Sequence, residues 1–147
     1  MAPGELERYL HDHIPLSRAM QVFVLSMGDD HVELGAPLGP NINHRDTVFG
    51  GSASALGILA AWSLLHVRLC AVGVEARLVI QRNTMEYELP IAGTFSARSK
   101  LDAPHEWQRF LTMLTRKRKG RISASSVLAY QGQSAGLLVG DFVALLQ

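Results

Sequence analysis

The chain has 147 residues, of which 48% are hydrophobic and 18% are charged, and its formal net charge is +1. These values are typical of one globular domain spanning residues 1–147. A charge near neutrality excludes a general electrostatic attraction to nucleic acid or to a membrane surface. Charged residues occupy the N-terminal segment where a signal peptide needs an apolar run. The most apolar run, residues 53–65, is shorter than the about 20 residues that cross a bilayer. We therefore expect a cytoplasmic protein with no nucleic-acid or membrane partner.

The single cysteine, Cys70, excludes an internal disulfide and is consistent with a reducing compartment. Because it falls in an apolar segment, we predict an inert core thiol. His11 and His13 are close in sequence. A spacing of two directs their side chains to opposite sides of a strand, or about 200° apart on a helix, so we expect no metal site.

The first predicted elements are short. Residues 5–13 indicate a surface helix, and residues 14–20 indicate a further turn or two. Residues 22–27 predict a strand. Residues 31–38 predict a second strand, because apolar residues alternate at 32, 34, 36 and 38, and a turn at 28–30 joins the pair.

A polar loop over residues 41–49 leads into the most apolar helix of the chain, from Gly51 to about Ala71. Its first four turns are apolar on all sides, which is typical of a helix that is enclosed by the rest of the fold. Many of these residues are Gly, Ala or Ser, so the helix can approach a sheet closely.

Two further strands are predicted at residues 75–89 and 94–101, followed by a helix that opens at Asp102. Its apolar stripe is Trp107, Phe110, Leu111 and Leu114. Two last strands, at residues 121–131 and 135–146, form a hairpin. This order predicts an α+β fold in which a mostly antiparallel sheet curls around one helix, with sheet edges open to another copy.

The order of elements, together with the loop that ends Val48-Phe49-Gly50-Gly51-Ser52, resembles the hotdog fold, and within it the YiiD C-terminal family of thioesterases. The resemblance extends over most of the chain. It is carried by residues 6–11, 13–17, 36–38, 41–44, 48–52, 80–81 and 142–145, with Trp62, Tyr87, Pro90 and Gly93.

The resemblance implies a curved antiparallel sheet of about six strands wrapped around a long central helix, and two subunits that pair their sheets edge to edge. It also implies a bacterial homodimer, or a tetramer, that hydrolyses an acyl-CoA or acyl-carrier-protein thioester. Coenzyme A would then be part of the substrate, with no separate cofactor and no metal.

Related thioesterases of the phenylacetate-pathway type carry Asn, a short spacer, His-Gly-Gly and an acid two turns into the helix. Asn43 matches the Asn, but Phe49 stands at the His position and Ile58 at the acid position. These departures leave two alternatives open. One is a non-catalytic module that binds acyl-CoA, and the other is an acyl dehydratase that uses His44 and Glu86.

Backbone N–H groups at the start of the long helix are the candidate group for polarising a thioester carbonyl, because they stand at the positive end of the helix dipole. These are the N–H groups of Gly50, Gly51 and Ser52. Alternatively, the two glycines make only a tight turn for helix–sheet packing.

Water activation has five candidates, which are Asn43, His44, Asp46 and Thr47 in the loop and Glu86 on the long strand. Asp46 is the first choice, since it is the nearest carboxylate before the helix, although an acid there is also a plain dipole partner. Asn43 could orient water or form an Asx turn. His44 could act as a base or be a loop residue. Glu86 could reach a partner's site or lie on a solvated strand.

Substrate contacts are expected from residues in the same loop and on the following strand. The predicted set is Thr47, Phe49, Ser52, Arg82 and Asn83. The basic run at residues 116–121 could meet the phosphates of CoA, or could be a solvated turn between a helix and a strand.

Overall fold

The computed structural model describes all 147 residues. Its helices are α1 (Pro3–His13), α2 (Pro15–Ala19), α3 (Gly50–Ala71) and α4 (Trp107–Lys117). Its strands are β1 (Phe23–Met27), β2 (Val32–Ala36), β3 (Ala76–Tyr87), β4 (Phe95–Leu101), β5 (Lys119–Tyr130) and β6 (Gln133–Leu146).

The six strands form one antiparallel sheet in the order β1-β2-β4-β5-β6-β3. Helix α3 packs mainly against five of the six strands, β2 to β6, so the sheet curves around it. This arrangement confirms the predicted α+β fold with a six-stranded sheet wrapped around the central helix.

Helix α3 approaches the sheet closely at Gly57. A Cβ at this position would lie 2.9 Å from the Cβ of Leu138 on β6. Ser126 on β5 donates a hydrogen bond of 2.7 Å to the Gly57 carbonyl oxygen. The buried Ser126 hydroxyl therefore has a hydrogen-bond partner in the helix backbone, and this bond fixes the position of α3 relative to β5.

By length and composition α3 could cross a membrane, but 56% of its most apolar window is buried inside the fold. At 22 residues the helix is longer than the apolar run that the sequence shows. The core helix of a soluble protein passes the same test, and the surrounding sheet accounts for its apolar composition.

Several predicted boundaries differ from the structure, and two of these differences have a clear local cause. The second long helix begins at Trp107 and not at Asp102, because a 3₁₀ turn, Pro104–Glu106, comes first and no side chain caps the helix. Strand β2 ends at Ala36, since Pro37 and a 3₁₀ turn at Gly39–Asn41 interrupt the extended backbone.

Helix α1 covers the outer edge of β1. The backbone N–H of Val24 donates to the Glu7 carboxylate at 3.0 Å, and the His11 imidazole donates to the Val22 carbonyl at 2.7 Å. The opposite edge of the sheet, strand β3, has no such cover along most of its 12 residues. The structure thus shields one sheet edge and exposes the other.

The other face of α1 stacks against α3. The Tyr9 ring lies 4.1 Å from that of His13 and 4.5 Å from that of His66, which in turn stacks on Trp62 at 4.8 Å. Burial, with a smaller effect from His13, lowers the pKa of His66. The Trp62 indole donates to the Leu78 carbonyl of β3 at 2.9 Å.

Cys70 was expected in the core, and this prediction is wrong. The thiol is exposed near the C-terminal end of α3, where its sulfur lies 3.6 Å from Nε2 of His66. The apolar character of the helix persists beyond the part that the sheet encloses, so composition alone overestimated the burial of this turn.

We expect Gly57→Ala to destabilise the protein by about 1–3 kcal/mol, because the new methyl group would press on Leu138. Gly4→Ala in α1 is the matched control. No atom lies within 4 Å of its Cβ position, so this change should be neutral or stabilising by up to about 1 kcal/mol. Urea unfolding of both variants measures the difference, and equal effects would contradict the tight helix–sheet contact.

Candidate functional site

The loop before α3 is a small closed hairpin built around Asn43. Ile42 and Val48 form an isolated antiparallel bridge. The Asn43 side-chain oxygen accepts from the backbone N–H groups of Arg45 and Thr47 at 2.8 and 3.2 Å, and its amide donates to Oγ1 of Thr47 at 2.9 Å. The Asn43 amide is thus occupied within its own loop, as in the Asx-turn alternative.

His44 and Asp46 lie at the tip of this hairpin, and both are exposed. Asp46 adopts a left-handed backbone conformation with φ of 62°. The Asn43–Thr47 pair stands between these tip residues and the bridge that leads to the helix. The structure therefore holds Thr47 nearer to the helix start and directs His44 and Asp46 toward solvent.

Two N–H donors remain free at the start of α3. The Phe49 carbonyl accepts from the N–H groups of Ser52 at 2.9 Å and Ala53 at 3.1 Å. The expectation that the Ser52 N–H is free is therefore wrong, because the first helical turn closes on Phe49. The N–H groups of Gly50 and Gly51 have no acceptor in the protein.

The Phe49 ring folds over Gly51. A Cβ on Gly51 would lie 2.4 Å from Cε2 of this ring, so a side chain here would displace the ring from its position. Phe49 is also 58% exposed. The residue at the expected histidine position therefore supplies an apolar wall next to the two free donors.

Tyr87 joins the end of β3 to the first turn of α3. Its hydroxyl donates to the Gly50 carbonyl at 2.9 Å, and its ring lies 3.4 Å from the Cβ position of Gly50. Sequence reasoning did not assign Tyr87 to the site. The available signal was its place among the residues that carry the family resemblance, at the end of a long strand.

A cavity of about 260 Å³ adjoins this turn. Its lining is mostly apolar, and Glu88 is the one acidic residue in it. The Glu88 carboxylate accepts a hydrogen bond of 3.2 Å from Ser134. The lining residues are Val48, Ala53, Met85, Tyr87, Glu88, Leu89, Pro90, Ile91 and Ala135.

Strand β3 separates the residues that sequence reasoning placed together. Met85 packs against the core and Tyr87 contacts α3, so with a two-residue period Asn83 faces the helix side as well. Arg82 and Glu86 then lie on the outer face, and both are exposed. The structure brings Asn83 to the helix side of the sheet and leaves Arg82 and Glu86 outside it.

The family profile described as a putative thioesterase, the YiiD C-terminal domain, matches residues 4–146. The chain belongs to this family. The family resemblance seen in the sequence is thereby confirmed over nearly the whole chain. Membership of this family supports a thioesterase-type function.

Solved structures agree with this assignment. A protein of unknown function from Chlorobaculum tepidum is 25% identical, with a TM-score of 0.92 over 99% of this chain and 94% of that one. The crystal structure of a putative thioesterase from Shewanella oneidensis is also 25% identical, with a TM-score of 0.87 over 97% and 96%. A thioesterase from Haemophilus influenzae shares the fold alone, at 11% identity and a TM-score of 0.81 over 99% and 92%.

Proposed function

We propose that this YiiD C-terminal domain is a cytoplasmic thioester hydrolase that acts on an acyl-CoA or acyl-carrier-protein substrate by direct attack of water. One observation carries the proposal. The N–H groups of Gly50 and Gly51 are unpaired at the positive end of a 22-residue helix, next to a mostly apolar cavity.

In this reaction the substrate carbonyl oxygen accepts hydrogen bonds from the two glycine N–H groups. Water attacks the carbonyl carbon, the C–O bond forms, and negative charge collects on the carbonyl oxygen. The helix start stabilises that charge without reorganisation. The C–S bond then breaks, the thiolate takes up the proton that the water lost to the general base on attack, and a free acid and a thiol leave. The aromatic rings of Phe49 and Tyr87 flank the two glycines.

For water activation we propose Glu88, the acid that lines the cavity, in place of Asp46 at the hairpin tip. Glu88 is exposed, as Asp46 is, but it lines the cavity, where one carboxylate oxygen accepts a hydrogen bond of 3.2 Å from Ser134 and the other is open to water.

A second candidate function is an acyl-CoA-binding module without turnover. Ile58, which stands at the expected acid position, lines an apolar groove of about 280 Å³ between α2 and α3, together with Ala55 and Trp62. The groove could hold an acyl chain, but none of its lining residues is a general base. Ligand-induced stabilisation without release of thiol would favour this candidate over hydrolysis.

We also propose that the protein is a homodimer formed by the exposed edge of β3. A two-fold axis perpendicular to the sheet pairs β3 with its symmetry copy antiparallel and keeps both α3 helices on one face. With Thr84 on the axis, Arg82 of one subunit lies opposite Glu86 of the partner subunit, and the converse pair forms as well. If the two-fold axis passed through another residue of β3, these two ion pairs would be lost or residues of like charge would lie opposite each other.

Gly50→Pro should remove one carbonyl-binding donor while leaving the helix intact. Proline suits the first helical position, and Phe49 already has the extended backbone (φ −58°, ψ 133°) that precedes proline. We expect kcat for acyl-CoA hydrolysis to fall about 10²–10³-fold. Gly50→Ala keeps the N–H and should retain most activity. Equal activity of both variants in a thiol-release assay would contradict the proposed role.

Glu88→Gln and Asp46→Asn form a matched pair of charge-neutralising changes. We expect Glu88→Gln to lower kcat about 10²-fold or more, because the base is lost, and Asp46→Asn to have little effect. Steady-state kinetics on the same substrate decides between them. The reverse result would assign the water to Asp46.

Arg82→Glu should weaken the dimer about tenfold, because it places like charges opposite each other twice across the two-fold axis. The swap Arg82→Glu with Glu86→Arg restores both pairs and should recover the wild-type dimer. Sedimentation equilibrium measures the dissociation constants. If the swap is no better than the single variant, the register is wrong.

A further inference from the structure

A second cavity, of about 300 Å³, lies between α4 and the start of β5 and is rich in cations. Arg109, Lys119 and Arg121 line it, with Glu106 as its one acid. The ion pairs of the structure are Arg18–Asp12 and His31–Asp30, so the three cations of the cavity have no carboxylate partner. An unneutralised group of this kind suits a phosphate-bearing ligand.

The rest of the basic run behaves differently. Arg118 ends α4 in a left-handed conformation, and its guanidinium donates to the carbonyls of Leu146 at 3.4 Å and Gln147 at 3.0 Å. Arg116 and Lys117 are exposed in the last turn of α4. Lys119 and Arg121 are exposed as well, but they line the cavity, and Arg116 and Lys117 do not.

Within one subunit this cavity is remote from the start of α3. Lys119 pairs with Leu145, which pairs with Arg77 at the beginning of β3. Tyr87, which contacts Gly50, is at the other end of that strand. The separation is about 30 Å along the strands.

In the edge-to-edge dimer, the cavity of one subunit is closer to the start of α3 in the other subunit. Because β3 runs antiparallel to its copy, the end of the partner subunit that carries the cavity lies beside the end at which α3 begins. With the two-fold axis at Thr84, Lys119 of the partner subunit lies about 20 Å from Tyr87, across three strand spacings.

We propose that the cavity formed by Arg109, Lys119 and Arg121 binds the nucleotide phosphates of a CoA thioester whose carbonyl is held by Gly50 and Gly51 of the partner subunit. The pantetheine arm spans the distance between the two. This inference rests on the proposed function and on the proposed dimer. It makes CoA thioesters the preferred substrates, because a carrier protein presents the same arm without the nucleotide.

The first test is kinetic. The variant Lys119→Glu with Arg121→Glu should raise KM for acyl-CoA about tenfold or more and leave kcat unchanged. The same acyl group on pantetheine, which lacks the nucleotide, should show no change, and this substrate also reports that the variant is folded. Arg116→Glu with Lys117→Glu is the matched control, with an equal charge change outside the cavity, and should leave KM for acyl-CoA much less affected. An equal rise in KM for both substrates, or for both double variants, would overturn the assignment.

The second test asks which subunit supplies the cations. A hybrid dimer combines one Gly50→Pro subunit with one Lys119→Glu, Arg121→Glu subunit. If the cavity acts across the dimer, one site in each hybrid has both parts intact. Random mixing should then restore about one quarter of wild-type activity at low acyl-CoA concentration. If the cavity acts within its own subunit, no site is complete and mixing restores nothing.

If the wild-type protein hydrolyses no thioester, calorimetric binding of free CoA replaces the rate measurement. A weaker affinity in the cavity variant but not in the Arg116, Lys117 control supports the phosphate site even when the hydrolase proposal fails. Unchanged affinity in all variants overturns the phosphate site.

Discussion

The fold depends on the enclosure of α3. A helix that is apolar on most of its surface is stable in water only if other elements cover it, and here five strands do so. The sheet can come this close because Gly57 presents no side chain to Leu138. The curvature of the sheet follows from wrapping it around one helix.

Enclosure also explains where the site lies. Backbone N–H groups inside α3 are used by the helix, and only the first turn leaves donors over. The hairpin closed by Asn43 leads directly into that turn, and the Phe49 carbonyl accepts a hydrogen bond from the Ser52 N–H. Tyr87 fixes the remaining glycine pair against the end of β3. The candidate site is therefore the turn at which backbone N–H groups are no longer used by the hydrogen bonds of the buried helix.

Periodicity predicted most of the fold, because the alternation in β2 and β4 and the apolar helix are direct signatures of burial. It could not predict the pairing of distant strands, which depends on long-range contacts. The family resemblance supplied the curved antiparallel sheet around the helix, and the strand order β1-β2-β4-β5-β6-β3 came only from the structure. At the site, the sequence indicated Gly50 and Gly51, but the roles of Tyr87 and Glu88 depend on the packing of β3 against α3. Arg82 and Glu86 were candidate site residues as well, and the strand directs their side chains to its outer face.

One sheet edge is covered and the other is exposed, and this difference has a consequence for assembly. Helix α1 occupies the hydrogen-bonding edge of β1 through Glu7 and His11, so a further strand cannot add there. A sheet with one open edge can join one other copy and then has no edge left. Growth by strand addition therefore stops at two subunits, and the long exposed strand β3 does not turn the protein into the seed of a fibre.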